Sequence, residues 1–279
     1  MKTFTGHPHF STVVTTISDT VIGKGNHGSV FEGYVTTPAN YLQKCAIKVF
    51  TNIHDYANLV LHIQNTVCEQ VDITDCDYVV PFSPLYTQIG TQTKLVLVMQ
   101  IVDKCTRRIF GKELLEMQKS LQSIGAFHTD IKQENIGIDR ETRRLWFIDT
   151  DSICTYPSAD QTIGPGSWSQ LLTPLGGKPV NHADIFTKMR LYDDGFKWET
   201  KDALLASSFF SMLMTIIRQY TDGDVVMFDT TKDGRGINTL VLGAVVSRLR
   251  RKDRHLSRIF RLFLLYWHRI RTSAYWPKQ

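Results

Sequence analysis

The residues best suited to chemistry lie together in His128-Thr129-Asp130-Ile131-Lys132-Gln133-Glu134-Asn135. This one short stretch offers a carboxylate, an ammonium and an amide oxygen. Such a set can orient a hydroxyl and accept its proton, steady a transferred phosphoryl group and ligate a metal ion. Asp149 follows at the end of the apolar Leu145-Trp146-Phe147-Ile148, where a carboxylate is a natural ligand for magnesium. Upstream, Lys48 stands in Cys45-Ala46-Ile47-Lys48. An unpaired ammonium in an apolar strand is costly, so an anionic partner is expected: Glu69, with Asp72 and Asp75 as alternatives in the same acidic stretch. Gly23-Lys24-Gly25-Asn26-His27-Gly28-Ser29-Val30 completes the set, because glycines let a backbone come close to phosphates. It lies between two strand-like segments, whereas a Rossmann fingerprint opens a helix and a Walker loop ends in Gly-Lys-Ser or Gly-Lys-Thr.

In order and spacing these segments resemble the eukaryotic protein kinase superfamily over roughly residues 20 to 220. The resemblance implies an α+β, two-lobed protein kinase-like fold in a single domain. An antiparallel-sheet N-lobe with its hinge would span 1–102, and a mainly helical C-lobe 103–279. It implies ATP and Mg2+ as cofactors and a protein substrate, with Lys132 two places after Asp130 similar to the serine/threonine-specific branch. Residue by residue, Asp130 would act as catalytic base, Lys132 would steady the γ-phosphate, and Lys48, held by Glu69, would position the phosphates. Asn135 and Asp149 would bind the metal. Gly23, Gly25 and Gly28 would cover the phosphates. Ile22, Val30 and Ala46 would line the adenine pocket, with Met99 as gatekeeper and Gln100 to Val102 as hinge. Asp202 resembles the aspartate that supports the catalytic loop in this family.

The chain also departs from the family pattern. Thr129 replaces the arginine that receives a phosphorylated activation loop, so activation by loop phosphorylation is not expected. Thr150 and Asp151 stand where the family has the phenylalanine and glycine after the metal-binding aspartate, and Thr173-Pro174-Leu175 lacks the acidic residue of the substrate-docking motif. The short span from Met99 to Asp130 leaves little room for the first helix after the hinge, a trimming similar to that of kinases carried by large DNA viruses. Two alternatives therefore stand beside a serine/threonine kinase: a pseudokinase scaffold or decoy, and a kinase-like enzyme acting on a small molecule.

The elements that must position these residues are legible in outline. From Val13 to about Phe50, β-branched and aromatic residues broken by glycine predict antiparallel strands, and 93–102 predicts a further buried strand. Residues 55–71 predict an amphipathic helix. Leu114, Leu115, Met117, Leu121 and Ile124 recur at helical spacing and stop at Gly125, and 201–220 predicts a helix apolar on nearly all sides, suited to a domain centre. Residues 151–198 are rich in Gly, Pro, Ser and Thr and read as a long loop. The basic run Arg248 to His255 has two readings, a solvated helix face, which is the expectation, and a nuclear-targeting or nucleic-acid patch; nucleic acid is not expected as a partner. Five cysteines without a C-x-x-C pair fit a reducing compartment, and no stretch has the length of a signal peptide or a bilayer span. An intracellular protein, cytoplasmic or nuclear and without membrane contact, is the expectation; if the chain is viral, the compartment is the host cell's.

Overall fold

The computed structural model describes residues 13–25, 28–37, 39–51, 76–128, 130–150, 153–155, 201–221 and 239–272. The architecture is α+β and divides into two compact units, 1–104 with 137–151 and 105–136 with 152–279.

In the first unit, β1 (Val13–Lys24), β2 (Gly28–Thr36), β3 (Leu42–Phe50), β4 (Phe82–Ile89) and β5 (Gln92–Met99) form one sheet in the order β1-β2-β3-β5-β4. Each neighbouring pair is antiparallel. Because side chains alternate along a strand, the sheet sorts its residues between two faces. Val35, Cys45, Ile47, Val96 and Val98 form a buried cluster on one of them, with Val14, Ile17, Val49 and Ile89 packed against it. β1 departs from regular register after Val14, Ile17 and Val21, and its bending brings it against β4 at the far edge of the sheet. The sheet thus curls around that apolar cluster and buries it with its own strands, as bulges allow. Gly33 takes part in this curling, since Ile47 and the Thr16 carbonyl fill the space a side chain would need.

Two short strands, β6 (Asp103–Lys104) and β8 (Ile136–Ile138), pair antiparallel, and β9 (Leu145–Phe147) lies beside β8. Asp139 ties the turn before β9 by accepting the N–H groups of Glu141 and Thr142 at 3.0 and 2.7 Å.

In the second unit, α1 (Gly111–Ser123) ends at Gly125, whose φ of +77° is the left-handed conformation a helix-terminating glycine supplies. β7 (Ala126–His128) follows and pairs antiparallel with β10 (Ile153–Thr155), a strand inside the stretch expected to be loop. The rest of that stretch, 156–198, lies outside the described residues, as does the helix expected over 55–71. α2 (Lys201–Thr221) is buried at every position from Leu205 to Ile217 and packs on α1, β7, α3 (Thr239–Leu249) and α4 (Leu256–Thr272). Aromatic pairs join α2 to α4: Phe210 with Phe263 at 5.6 Å between ring centroids, and Phe209 with Tyr266 at 5.7 Å. Among the described residues no helix is long and apolar enough to cross a membrane.

The basic run differs from expectation. α3 ends at Leu249 and α4 begins at Leu256, so Arg250 to His255 form a turn and not a helix face.

Candidate active site

In the first unit, strand register places Val30 opposite Lys48 and Lys48 opposite Leu97, while Ala46 lies opposite Met99. Directly opposed residues share a face, and so do positions two apart on a strand. Val30, Ala46, Lys48 and Met99 therefore lie on one face of the sheet, away from the closed apolar cluster. Ala46 and Met99 are buried there.

Lys48 donates from Nζ to Asp149 Oδ1 at 3.1 Å across 101 residues of chain, with the two side chains 12% and 28% exposed. The Lys48 ammonium also lies 5.5 Å from the centroid of the Phe50 ring. Asp149 comes to this position because β9 is anchored just before it. Phe147 N–H donates to the Tyr78 carbonyl at 2.6 Å, and the Phe147 carbonyl accepts from Val80 N–H at 3.0 Å. Val102 and Ile148 fill the space beside Gly137, where a side chain would not fit, so the expected hinge packs against the residue preceding Asp149. Glu69, Asp72, Asp75 and Asp151 lie outside the described residues.

The glycines of the β1–β2 connection differ in what the fold asks of them. Gly28 is buried, and a side chain there would run into the Val49 carbonyl. Gly25 N–H donates to the Gly28 carbonyl at 2.9 Å and closes the turn. Gly23 and Gly25 have ordinary φ, and among the described residues a side chain at either would meet only ordinary van der Waals contacts, with Val30 and with the Gly28 carbonyl respectively. Ile22, in β1 beside Gly23, is half-buried.

In the second unit, Asp130 is 3% exposed and lies at the centre of a small polar network. Lys132 Nζ donates to Asp130 Oδ2 at 2.5 Å, and Asn135 Nδ2 donates to the same oxygen at 3.0 Å and to the Asp130 carbonyl at 2.9 Å. Two acceptors facing the amide nitrogen fix which end of the Asn135 side chain points inward. His128, fully buried, accepts from Asp130 N–H through Nδ1 at 3.2 Å, which makes it a packed, orienting loop histidine. A 3-10 turn over Gln133–Asn135 carries Asn135 back to Asp130.

No protein-family model matches the chain, and a search of curated proteins finds no match. The reading of the site therefore rests on its residues and their geometry.

The resemblance assigns support of the catalytic loop to Asp202, and here the structure corrects it. Asp202 pairs instead with Arg269 on α4, at 3.5 Å and partly exposed. The loop is held by hydroxyls farther along α2: Ser208 Oγ donates to the His128 carbonyl at 2.8 Å, and Thr215 Oγ1 donates to the Ile131 carbonyl at 2.7 Å. Gln118 of α1 donates to Ser208 Oγ at 3.3 Å. Ser207, Ser208, Ser211 and Thr215 are the signal that could have found this arrangement, since hydroxyls on a fully buried helix need partners.

Proposed function

We propose that this chain is a protein kinase that transfers the γ-phosphoryl group of ATP to serine or threonine hydroxyls of a protein substrate. The observation that carries the reading is that within each unit the motif residues contact one another: Lys48 and Asp149 in the first, and Lys132 and Asn135 with Asp130 in the second. Two further features support it. Among the described residues nothing crowds Gly23 or Gly25, which suits a backbone that approaches phosphates. The amide nitrogen of Asn135 is committed to Asp130, leaving its Oδ1 as the oxygen for a metal ion.

In the proposed step the substrate hydroxyl gives its proton to Asp130 while its oxygen bonds the γ-phosphorus. The bond from that phosphorus to the β,γ-bridging oxygen breaks, and ADP leaves. Lys132 offsets charge on the transferred group, and Lys48, oriented by Asp149, holds the nucleotide phosphates. Magnesium, when bound, supplies neutralisation of phosphate charge, and the Asn135 amide oxygen and the Asp149 carboxylate are hard donors suited to it.

The test is magnesium-dependent stabilisation by ATP, followed by label transfer to the chain itself or to a generic basic protein. Asp130→Asn is expected to abolish transfer and leave nucleotide binding largely intact; loss of both together would count against the assigned role. Binding by the unaltered chain without any transfer would favour the scaffold reading.

A further inference from the structure

The basic residues near the C-terminus take no part in the proposed site. Residues 248–279 hold ten Lys and Arg against one acidic residue, Asp253, a formal charge of +9 in a chain whose total is +5, so everything before them sums to −4. Arg250, Arg251, Lys252 and Arg254 of the turn, with Arg258 and Arg261 of α4, are exposed and have no carboxylate partner among the described residues. Arg258 and Arg261 share the helix surface opposite the buried Ile259, Phe263 and Trp267.

The one counter-charge within the turn faces inward. Asp253 is 4% exposed; its Oδ2 accepts from Gly111 N–H at 2.6 Å and its Oδ1 from His255 N–H at 2.8 Å. Tyr220 OH donates to the Lys252 carbonyl at 3.3 Å. Arg108 and Lys252 both lie close to the Tyr220 ring, at 4.9 and 5.7 Å from its centroid, which adds Arg108 to the same surface. A solvated surface ordinarily intersperses both signs, because like charges at this spacing repel. Here the fold anchors the turn and leaves only cations outside.

We propose that this surface binds the phosphate backbone of a single-stranded nucleic acid. Of these six exposed cations, Arg250, Arg251, Arg254, Arg258 and Arg261 are arginines, whose guanidinium matches phosphate oxygens in pairs. Phe110, 47% exposed, precedes the Gly111 that Asp253 holds and so borders the turn, offering a flat face for an unpaired base. An anionic membrane fits less well, since an interfacial helix needs an apolar face to insert and, among the described residues, Leu265 is the one large exposed apolar side chain of α4.

Fluorescence anisotropy of the full chain with a short labelled single strand tests the proposal. Affinity is expected to fall steeply between about 50 and 200 mM salt, with a log–log slope of about −0.7 per phosphate neutralised. Arg250→Gln with Arg251→Gln and Lys252→Gln should weaken binding at least about tenfold and reduce the slope by about 2. Phe110→Ala should weaken binding and leave the slope unchanged. Should the triple variant melt early, Arg258→Gln with Arg261→Gln on the solvent side of α4 should likewise weaken binding and reduce the slope by about 1.4. Asp130→Asn should bind as the unaltered chain does, which separates this surface from the kinase reading. Absence of salt-dependent binding at about 50 mM, or variants that bind undiminished, would overturn the proposal. So would an acidic polypeptide or anionic vesicles that displace the strand at equal charge.

Discussion

Asp130 is held from three directions, by Lys132, Asn135 and His128, and the loop that carries it is in turn held by α2. Ser208→Ala would leave the buried His128 carbonyl without this donor, at a cost of about 1–2 kcal/mol in unfolding free energy. Under the kinase reading the same change lowers turnover with nucleotide affinity unchanged, and Thr215→Val should act alike; kinetics beside chemical denaturation would check both. The Asp130, Lys132 and Asn135 set was legible in the sequence because its contacts are local, within one short loop. The hydroxyls that support it were not, because each reaches across about 80 residues of chain. Asp202 misled for a related reason: its position at the head of α2 is visible in sequence, but Arg269 on α4 is placed beside it only by helix packing.

The β1–β2 connection gives a prediction that separates folding from binding. Gly28→Ala puts a methyl group into the Val49 carbonyl and should lower unfolding free energy by about 1–3 kcal/mol. Gly25→Ala meets only the Gly28 carbonyl oxygen at 4.0 Å, an ordinary van der Waals contact, and should leave the melting temperature unchanged while weakening nucleotide binding, read by titration of both variants. At the start of α1, Glu113 accepts from Arg107 at 2.6 Å and from Phe110 N–H at 2.9 Å. Burial pushes its carboxyl up, but these donors outweigh it and hold the group below the usual range. A depressed carboxylate contributes stability that is present above its unfolded value of about 4.3 and is lost as pH falls through the lower folded value. Glu113→Gln should therefore flatten the acid side of a stability–pH profile. The strands up to Phe50 were readable from β-branched and aromatic residues broken by glycine, α1 from its helical spacing, and α2 from a long run apolar on nearly all sides. β4 was not, since Pro84 interrupts the pattern; an edge strand tolerates proline, and β4 is the edge beyond β5.

For the molecule as a whole, ATP with magnesium at about a hundred times its dissociation constant should stabilise the fold by about 2.7 kcal/mol, seen as a rise in melting temperature that disappears with a chelator. Composition gave a mildly basic chain, and a total of that kind conceals segregation: the surplus lies in residues 248–279, while all that precedes them is acidic in sum. The curled sheet has a different consequence. Cys45 is fully enclosed by it, and burial pushes its thiol up to about 11. At pH 8 only about one molecule in a thousand would carry the thiolate even if reagents could enter. Alkylation at Cys45 should thus proceed only when the sheet opens, making this sulfur a built-in clock for the first unit. Cys105, 4% exposed, offers a second such clock in the other unit, and mass-resolved labelling of the two would time each opening in one sample.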